Sequence, residues 1–226
     1  NSDQRGSEVS ECLQWLNEQP KGSVLYVSFG SGGTLTHEQT CELAMGLEMS
    51  GQRFLWVVRS PRDDANNSAY FTVQSERNPL HFLPQGFLER TKGRGMVVDS
   101  WAPQGSILRH GATGGYLSHC GWNSILESVV NGVPIIAWPL FAEQKMNSVV
   151  VTEQIGMGLK AEPSGGTGII ERDEIERVVR SLMDGEEGKR VRSRVNEVKN
   201  AAAEAMSHVG ASATNLSLVV SIWKAN

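Results

Sequence analysis

The sequence predicts an α/β domain: a parallel, Rossmann-like sheet with helices on both faces. Two observations predict it. Short β-branched and aromatic runs alternate with helical stretches along the whole chain. At 226 residues the chain suits one large α/β domain or two small ones, and no internal repeat divides it.

The elements follow in order. Residues 1–10 are polar and Ser-rich and read as a linker. A short helix over 12–16 ends before Pro20. Residues 24–29 form a buried strand, followed by Gly30-Ser31-Gly32-Gly33-Thr34. A helix over 36–49 presents Leu43, Met45 and Leu47 as its apolar face. A second buried strand covers 54–58. Residues 60–82 carry Pro61, Asn66, Asn67 and Pro79 with little periodicity, and read as a long excursion.

A third strand covers 96–98. A helix over 103–109 has Pro in its first turn. A fourth strand spans 115–118, and a helix over 122–130 closes at Asn131-Gly132. A fifth strand covers 134–137 and a helix 142–154. A sixth strand falls around Leu159, and 163–168 is a loop. Helices over 171–183, 186–206 and 211–223 complete the chain.

Composition excludes several classes. The formal net charge is −4, so clustered cations for a nucleic-acid backbone are lacking. No apolar run approaches a bilayer-spanning length, and no basic-then-apolar leader opens the chain. The most apolar stretch, 133–142, is broken by Pro134 and Pro139. Cys12, Cys41 and Cys120 are odd in number and widely spaced, which fits free thiols in a reducing, cytoplasmic setting. In that setting the sequons at Asn66 and Asn215 carry no sugar.

In a sheet of this kind ligands bind at the carboxyl ends of the strands. Gly30 to Thr34 lets backbone approach a phosphate, or is a plain strand-to-helix turn. It is no complete GxGxxG, because Leu35 stands at the third Gly. The second strand ends at Arg59 rather than at a ribose-binding acid, which disfavours a nicotinamide cofactor and a dehydrogenase. Ser118-His119-Cys120-Gly121-Trp122-Asn123-Ser124 joins a strand to a helix. Free N–H groups at that helix start suit a pyrophosphate, and His119 can donate to the same anion, although a lone His is more often structural. Glu127 follows on the same helix face and can accept ribose hydroxyls, or is a solvated charge.

Trp138-Pro139-Leu140-Phe141-Ala142-Glu143-Gln144 ends a strand with two polar side chains suited to sugar hydroxyls, or is equally a helix N-terminal turn. Glu143 accepts, and Gln144 both donates and accepts. Trp101-Ala102-Pro103-Gln104 can offer a flat aromatic face to a nucleobase, although a lone Trp is more often core. No P-loop, HExxH, GxSxG or paired-Cys motif is present. Asp63-Asp64 is not a spaced Asp-x-Asp, and the cations of 188–194 fit a solvated helix face.

Taken as one block, Trp101-Ala102-Pro103-Gln104, His119 to Ser124, Glu127, Gly132-Val133-Pro134 and Glu143-Gln144 resemble the signature of plant family-1 UDP-glycosyltransferases. Ser28-Phe29-Gly30-Ser31, 54–59 and 83–87 resemble the same family. The wording Ser-Gly-Gly-Thr-Leu and Ala-Glu-Gln-Lys-Met-Asn is similar to its hydroquinone (arbutin-forming) glucosyltransferases.

The resemblance implies the C-terminal, donor-binding half of a GT-B fold, with 1–20 as interdomain linker and entry helix and 21–226 as the UDP-sugar domain. It implies that Trp101 stacks on uracil and the Ala102 backbone reads the base edge. Gln104 and Glu127 hold the ribose. Ser31, His119, Asn123 and Ser124 bind the pyrophosphate. Trp122, Glu143 and Gln144 face the sugar, and Gln at position 144 goes with glucose. It also implies no cofactor and no metal. The catalytic base lies in an N-terminal acceptor domain with no counterpart here, and a small phenol is the acceptor. The expectation is a chain that binds UDP-glucose and transfers it hardly at all. A stand-alone nucleotide-sugar-binding module is the other reading left open.

Overall fold

The computed structural model describes residues 11–61, 78–163, 166 and 168–225. Asp63, Asp64 and Asn66 lie outside them. Strands β1 (Val24–Ser28), β2 (Arg53–Val58), β3 (Gly95–Asp99), β4 (Thr113–Ser118), β5 (Ile135–Ala137) and β6 (Gly158–Lys160) form one sheet. Its order is β3-β2-β1-β4-β5-β6 and every pair is parallel. Helices are α1 (11–17), α2 (His37–Ser50), α3 (Phe87–Arg90), α4 (Gln104–Arg109) and α5 (Trp122–Asn131). They continue with α6 (Gln144–Val149), α7 (Arg172–Met183), α8 (Glu186–Ala205) and α9 (Ala211–Ala225). Among the described residues no helix is long and apolar enough to cross a membrane.

Side-chain alternation along each strand divides the core in two. Leu25, Val27, Phe54, Trp56 and Val58 point to one face, where α2, α5, α7 and α8 cover them. Val24, Tyr26, Leu55 and Val57 point to the other, against Cys12 and Leu16 of α1 and Ile107 and Leu108 of α4. Covering both faces explains why β1 is buried at every position. Each fully buried large apolar side chain contributes about 1.5–3 kcal/mol.

Helix α2 begins where Thr36 accepts a hydrogen bond from Gln39 N–H at 3.2 Å, and it ends at Gly51 with φ 68°. Its buried face differs from the expected one: Leu43, Ala44 and Leu47 are buried, while Met45 is only half-buried. The cause is helix geometry: Met45 is two positions from both Leu43 and Leu47 and so cannot share their face, which meets α7 over Gly46, where a Cβ would stand 2.5 Å from the Ile175 Cβ.

The expected single helix over 142–154 is also corrected. Ala142 has φ 52°, outside the helical region, so α6 starts at Gln144. From Val150 to Ile155 the chain widens into a π-helix, which Gly156 ends. Of the α8 cations, Lys189 and Arg190 are exposed as expected, but Arg192 and Arg194 serve as caps. Arg192 donates to the Leu182 and Met183 carbonyls at 2.8 and 2.9 Å, and Arg194 to the Ile155 carbonyl at 2.8 Å. Cys12, Cys41 and Cys120 form no disulfide with one another.

Candidate functional site

The sheet order reverses between β1 and β4, and the two strands end alike. Ser28 and Ser118 are register partners. The Ser28 hydroxyl accepts from Gly30 N–H at 3.3 Å, and the Ser118 hydroxyl from Cys120 N–H at 3.2 Å. Both receiving turns are left-handed, with φ 71° at Gly30 and 63° at Cys120. Ser100 after β3 (φ 61°) and Ala142 after β5 (φ 52°) adopt the same conformation. Three of these four are not glycine, and such backbone is strained by about 1–3 kcal/mol per residue. Strain here gathers at the carboxyl ends of the strands.

Of these residues, Gly30 and Ser100 line a cavity of about 650 Å³. Of the residues singled out from sequence, Ser31, Trp101, Ala102, Gln104, His119, Trp122, Asn123, Ser124, Glu143 and Gln144 line it. Glu127 does not. It stands behind Gln104, whose side-chain amide donates to Glu127 Oε2 at 2.6 Å and to Ser124 Oγ at 3.1 Å. Tyr116 donates to Gln104 Oε1 at 2.9 Å, so both ends of Gln104 are held. Trp101 and Trp122 are each 50% exposed, so neither is the core residue a lone Trp usually is. Ala102 is buried beside Trp101.

The floor of the cavity is the N-terminus of α5. Gly121 is its N-cap and no side chain bonds to it, so Trp122, Asn123 and Ser124 begin the helix with N–H groups facing no capping oxygen. The helix dipole adds positive potential there. His119 is wedged between two glycines. A Cβ at Gly30 would come within 2.7 Å of its ring, and one at Gly121 within 2.5 Å. Its Nδ1 is buried and has no partner among the described residues. Burial depresses the His119 pKa, against a smaller upward pull from Glu143.

The sign of that shift gives a prediction. The unfolded chain protonates His119 at higher pH than the folded one. The stability this residue contributes is complete above the ordinary imidazole value of about 6.5 and fades as pH falls through the folded value. Urea midpoints should therefore drop faster between pH 7 and 5 for the wild type than for His119→Gln. Parallel pH profiles would refute the burial argument.

Gln144 departs from the expectation that it both donates and accepts. It is 5% exposed, and its Oε1 accepts Leu140 N–H at 2.9 Å and Phe141 N–H at 3.1 Å. Two backbone donors fix the amide orientation and leave only its NH₂ to the cavity.

Sequence reasoning missed several residues. Tyr116 was legible only as a strand residue, yet it holds Gln104, and burial pushes its hydroxyl up to about 12. Its ring stacks on Tyr26 at 5.1 Å. Asn147 donates to the Cys120 carbonyl at 3.0 Å and ties α6 to the strained turn. Arg59 lines the cavity and reaches the glycine loop. Each lies near the strand ends, but only the fold brings it to the others.

Together these features define the class: a Rossmann-like α/β domain with a polar, aromatic-walled cavity at its switch point, floored by a helix N-terminus. The comparisons resolve it further. Residues 3–190 match the family model described as UDP-glucoronosyl and UDP-glucosyl transferase, and the chain belongs to that family, among the plant family-1 UDP-glycosyltransferases.

It is 58% identical over 214 residues to a hydroquinone glucosyltransferase of Rauvolfia serpentina, covering 95% of this chain and 45% of the relative. It is 59% identical over 220 residues to UDP-glycosyltransferase 72B1 of Arabidopsis thaliana, covering 97% and 45%. The chain thus spans about half the length of the curated relatives it matches. Among solved structures, Phytolacca americana apo UGT2 superposes with a TM-score of 0.87 at 54% identity, covering 95% of this chain and 47% of that one. The same enzyme complexed with UDP-2fluoro-glucose and pterostilbene gives 0.84 at 53% identity, covering 95% and 44%.

Proposed function

We propose that residues 21–226, entered through 1–20, are the donor-binding domain of an inverting glucosyltransferase that uses UDP-glucose and a small phenolic acceptor. One observation carries this reading. A single cavity combines the exposed Trp101 wall, the uncapped start of α5 with His119, and the Glu143–Gln144 pair. A nucleoside, a diphosphate and a hexose would meet those three surfaces in that order. Kinship with a hydroquinone glucosyltransferase and with a UGT2 bound to UDP-2fluoro-glucose and pterostilbene supports the donor and acceptor classes.

In this reading uracil stacks on Trp101 and the ribose meets Gln104 and, behind it, Glu127. Ser31, His119, Asn123 and Ser124 hold the diphosphate. The sugar faces Trp122, accepts from the Gln144 amide and donates to Glu143. As the acceptor oxygen attacks the anomeric carbon, negative charge grows on the leaving diphosphate. The α5 N–H groups and His119 are already placed to stabilise it, without metal. A general base must remove the acceptor proton. We assign it to the part of the relatives' length outside this chain, and place the enzyme in the cytoplasm.

Calorimetric titration of UDP, UDP-glucose and UDP-galactose tests the reading. The wild type should bind UDP and prefer the glucose donor. His119→Ala should lose about 10–100-fold in UDP affinity, the worth of a hydrogen bond to a charged group. Gln144→His should narrow the preference for glucose over galactose. Unchanged UDP affinity in His119→Ala would reject the diphosphate assignment, and rapid sugar transfer by the 226-residue chain alone would reject the missing base.

A further inference from the structure

Arg59 follows β2 directly and its guanidinium turns toward the glycine loop after β1. Its Nη1 donates to the Ser31 carbonyl at 2.6 Å and to the Gly30 and Gly33 carbonyls at 3.3 Å each. In a trans peptide the C=O and the next N–H point in opposite directions. Drawing these three carbonyls to one cation therefore turns the N–H groups of Ser31, Gly32 and Thr34 away from it. The loop is held with its carbonyl dipoles gathered on the guanidinium, where they cannot repel an anion elsewhere along the loop.

Charge gives a second, independent observation. Among the described residues lining the cavity, Arg59 is the one Lys or Arg, while Glu143 is acidic and burial disfavours a proton on His119. Burial shifts the Arg59 pKa downward, and among the described residues no carboxylate offsets it. A half-buried guanidinium that, among the described residues, bonds to backbone carbonyls rather than to a carboxylate keeps its positive charge available to a ligand.

Resting on the donor-site reading, we infer that Arg59 is the positioning cation of this site. It sets the conformation of the 30–33 loop and supplies the positive charge that favours a diphosphate over a neutral nucleoside.

Titration of UDP and of uridine into the 226-residue chain, at low and high KCl, tests this. Arg59→Gln should weaken UDP at least about tenfold, while uridine changes less than about threefold, because only the diphosphate senses the lost charge. Its UDP affinity should also lose most of its salt dependence, since a partly exposed ion contact is screened by salt. Arg59→Lys keeps the charge without the planar fork. It should retain the salt dependence and recover part of the affinity. Arg59→Gln binding UDP within twofold of wild type would overturn the role, as would equal losses for UDP and uridine. If Arg59→Gln does not fold, Arg59→Lys carries the same comparison, and equal losses for both ligands overturn the role there too. A wild type that binds no UDP would instead remove the donor-site reading itself.

Discussion

Gly30→Ala is expected to lower UDP affinity at least tenfold and to destabilise the chain by more than about 2 kcal/mol. Two costs combine. Gly30 sits at φ 71°, and a left-handed residue with a Cβ costs about 1–2 kcal/mol. The new Cβ would also stand 2.7 Å from His119 Cε1 and 2.8 Å from Nε2, so the ring must move. It has little room, because Gly121 confines its other side. Gly51→Ala is the matched control. Its φ is 68°, nearly the same, yet a Cβ there meets nothing within 4 Å. That variant should show the backbone cost alone and bind UDP normally. Calorimetric titration and thermal unfolding of both variants check this. Equal UDP affinities for the two would mean that His119 does not depend on its fit against Gly30.

The second large effect concerns Gln144. Gln144→Ala removes the acceptor that holds the N–H groups of Leu140 and Phe141. Leaving buried donors unpaired costs about 1–3 kcal/mol each, and these two are only partly buried, so a loss of about 2 kcal/mol is expected. The 138–141 turn also packs on the glycine loop, since a Cβ at Gly33 would fall 2.8 Å from Leu140 Cδ1. Any preference for UDP-glucose over UDP should vanish, while UDP itself binds within about threefold, because its contacts lie elsewhere. Gln144→Glu separates the two roles. Its carboxylate still accepts both N–H groups, so stability should largely return, but it has no NH₂ to give a sugar hydroxyl. Denaturation midpoints and titrations of UDP and UDP-glucose decide. Gln144→Ala as stable as wild type would show that the two backbone bonds carry no weight.

Much of this architecture was legible in advance. The parallel α/β class followed from strands and helices that alternate, because an apolar run buried on both faces needs helices above and below it. The cavity could be traced from Trp101 to Gln144 because glycines, polar residues and aromatic residues recur at strand ends in one register. Element boundaries were less legible where tertiary contacts set them. Met45 falls off the buried face because it is two positions from both Leu43 and Leu47, and Ala142 lost its place in a helix to a left-handed turn.

The site residues that sequence reasoning missed share one property: their partners are distant along the chain. Tyr116 and Gln104 sit on a strand and a helix that meet only in the folded cavity wall. Arg59 lies 26 to 29 residues from the carbonyls it gathers. No local pattern encodes such pairs, because neither residue alone differs from an ordinary strand or strand-end residue.

The sequence by itself determined the kind of protein this is: a parallel α/β domain with a glycine-containing turn after β4 and an aromatic-polar block that places it in its family. Local chemistry suffices for that, since hydrophobic periodicity and turn residues act over a few positions. Only the tertiary structure decided how the block is used. It put Glu127 behind Gln104, spent the Gln144 oxygen on backbone, pressed His119 between two glycines and brought Arg59 to the loop. Those outcomes depend on which strand ends lie side by side, and the packing of the whole sheet sets that.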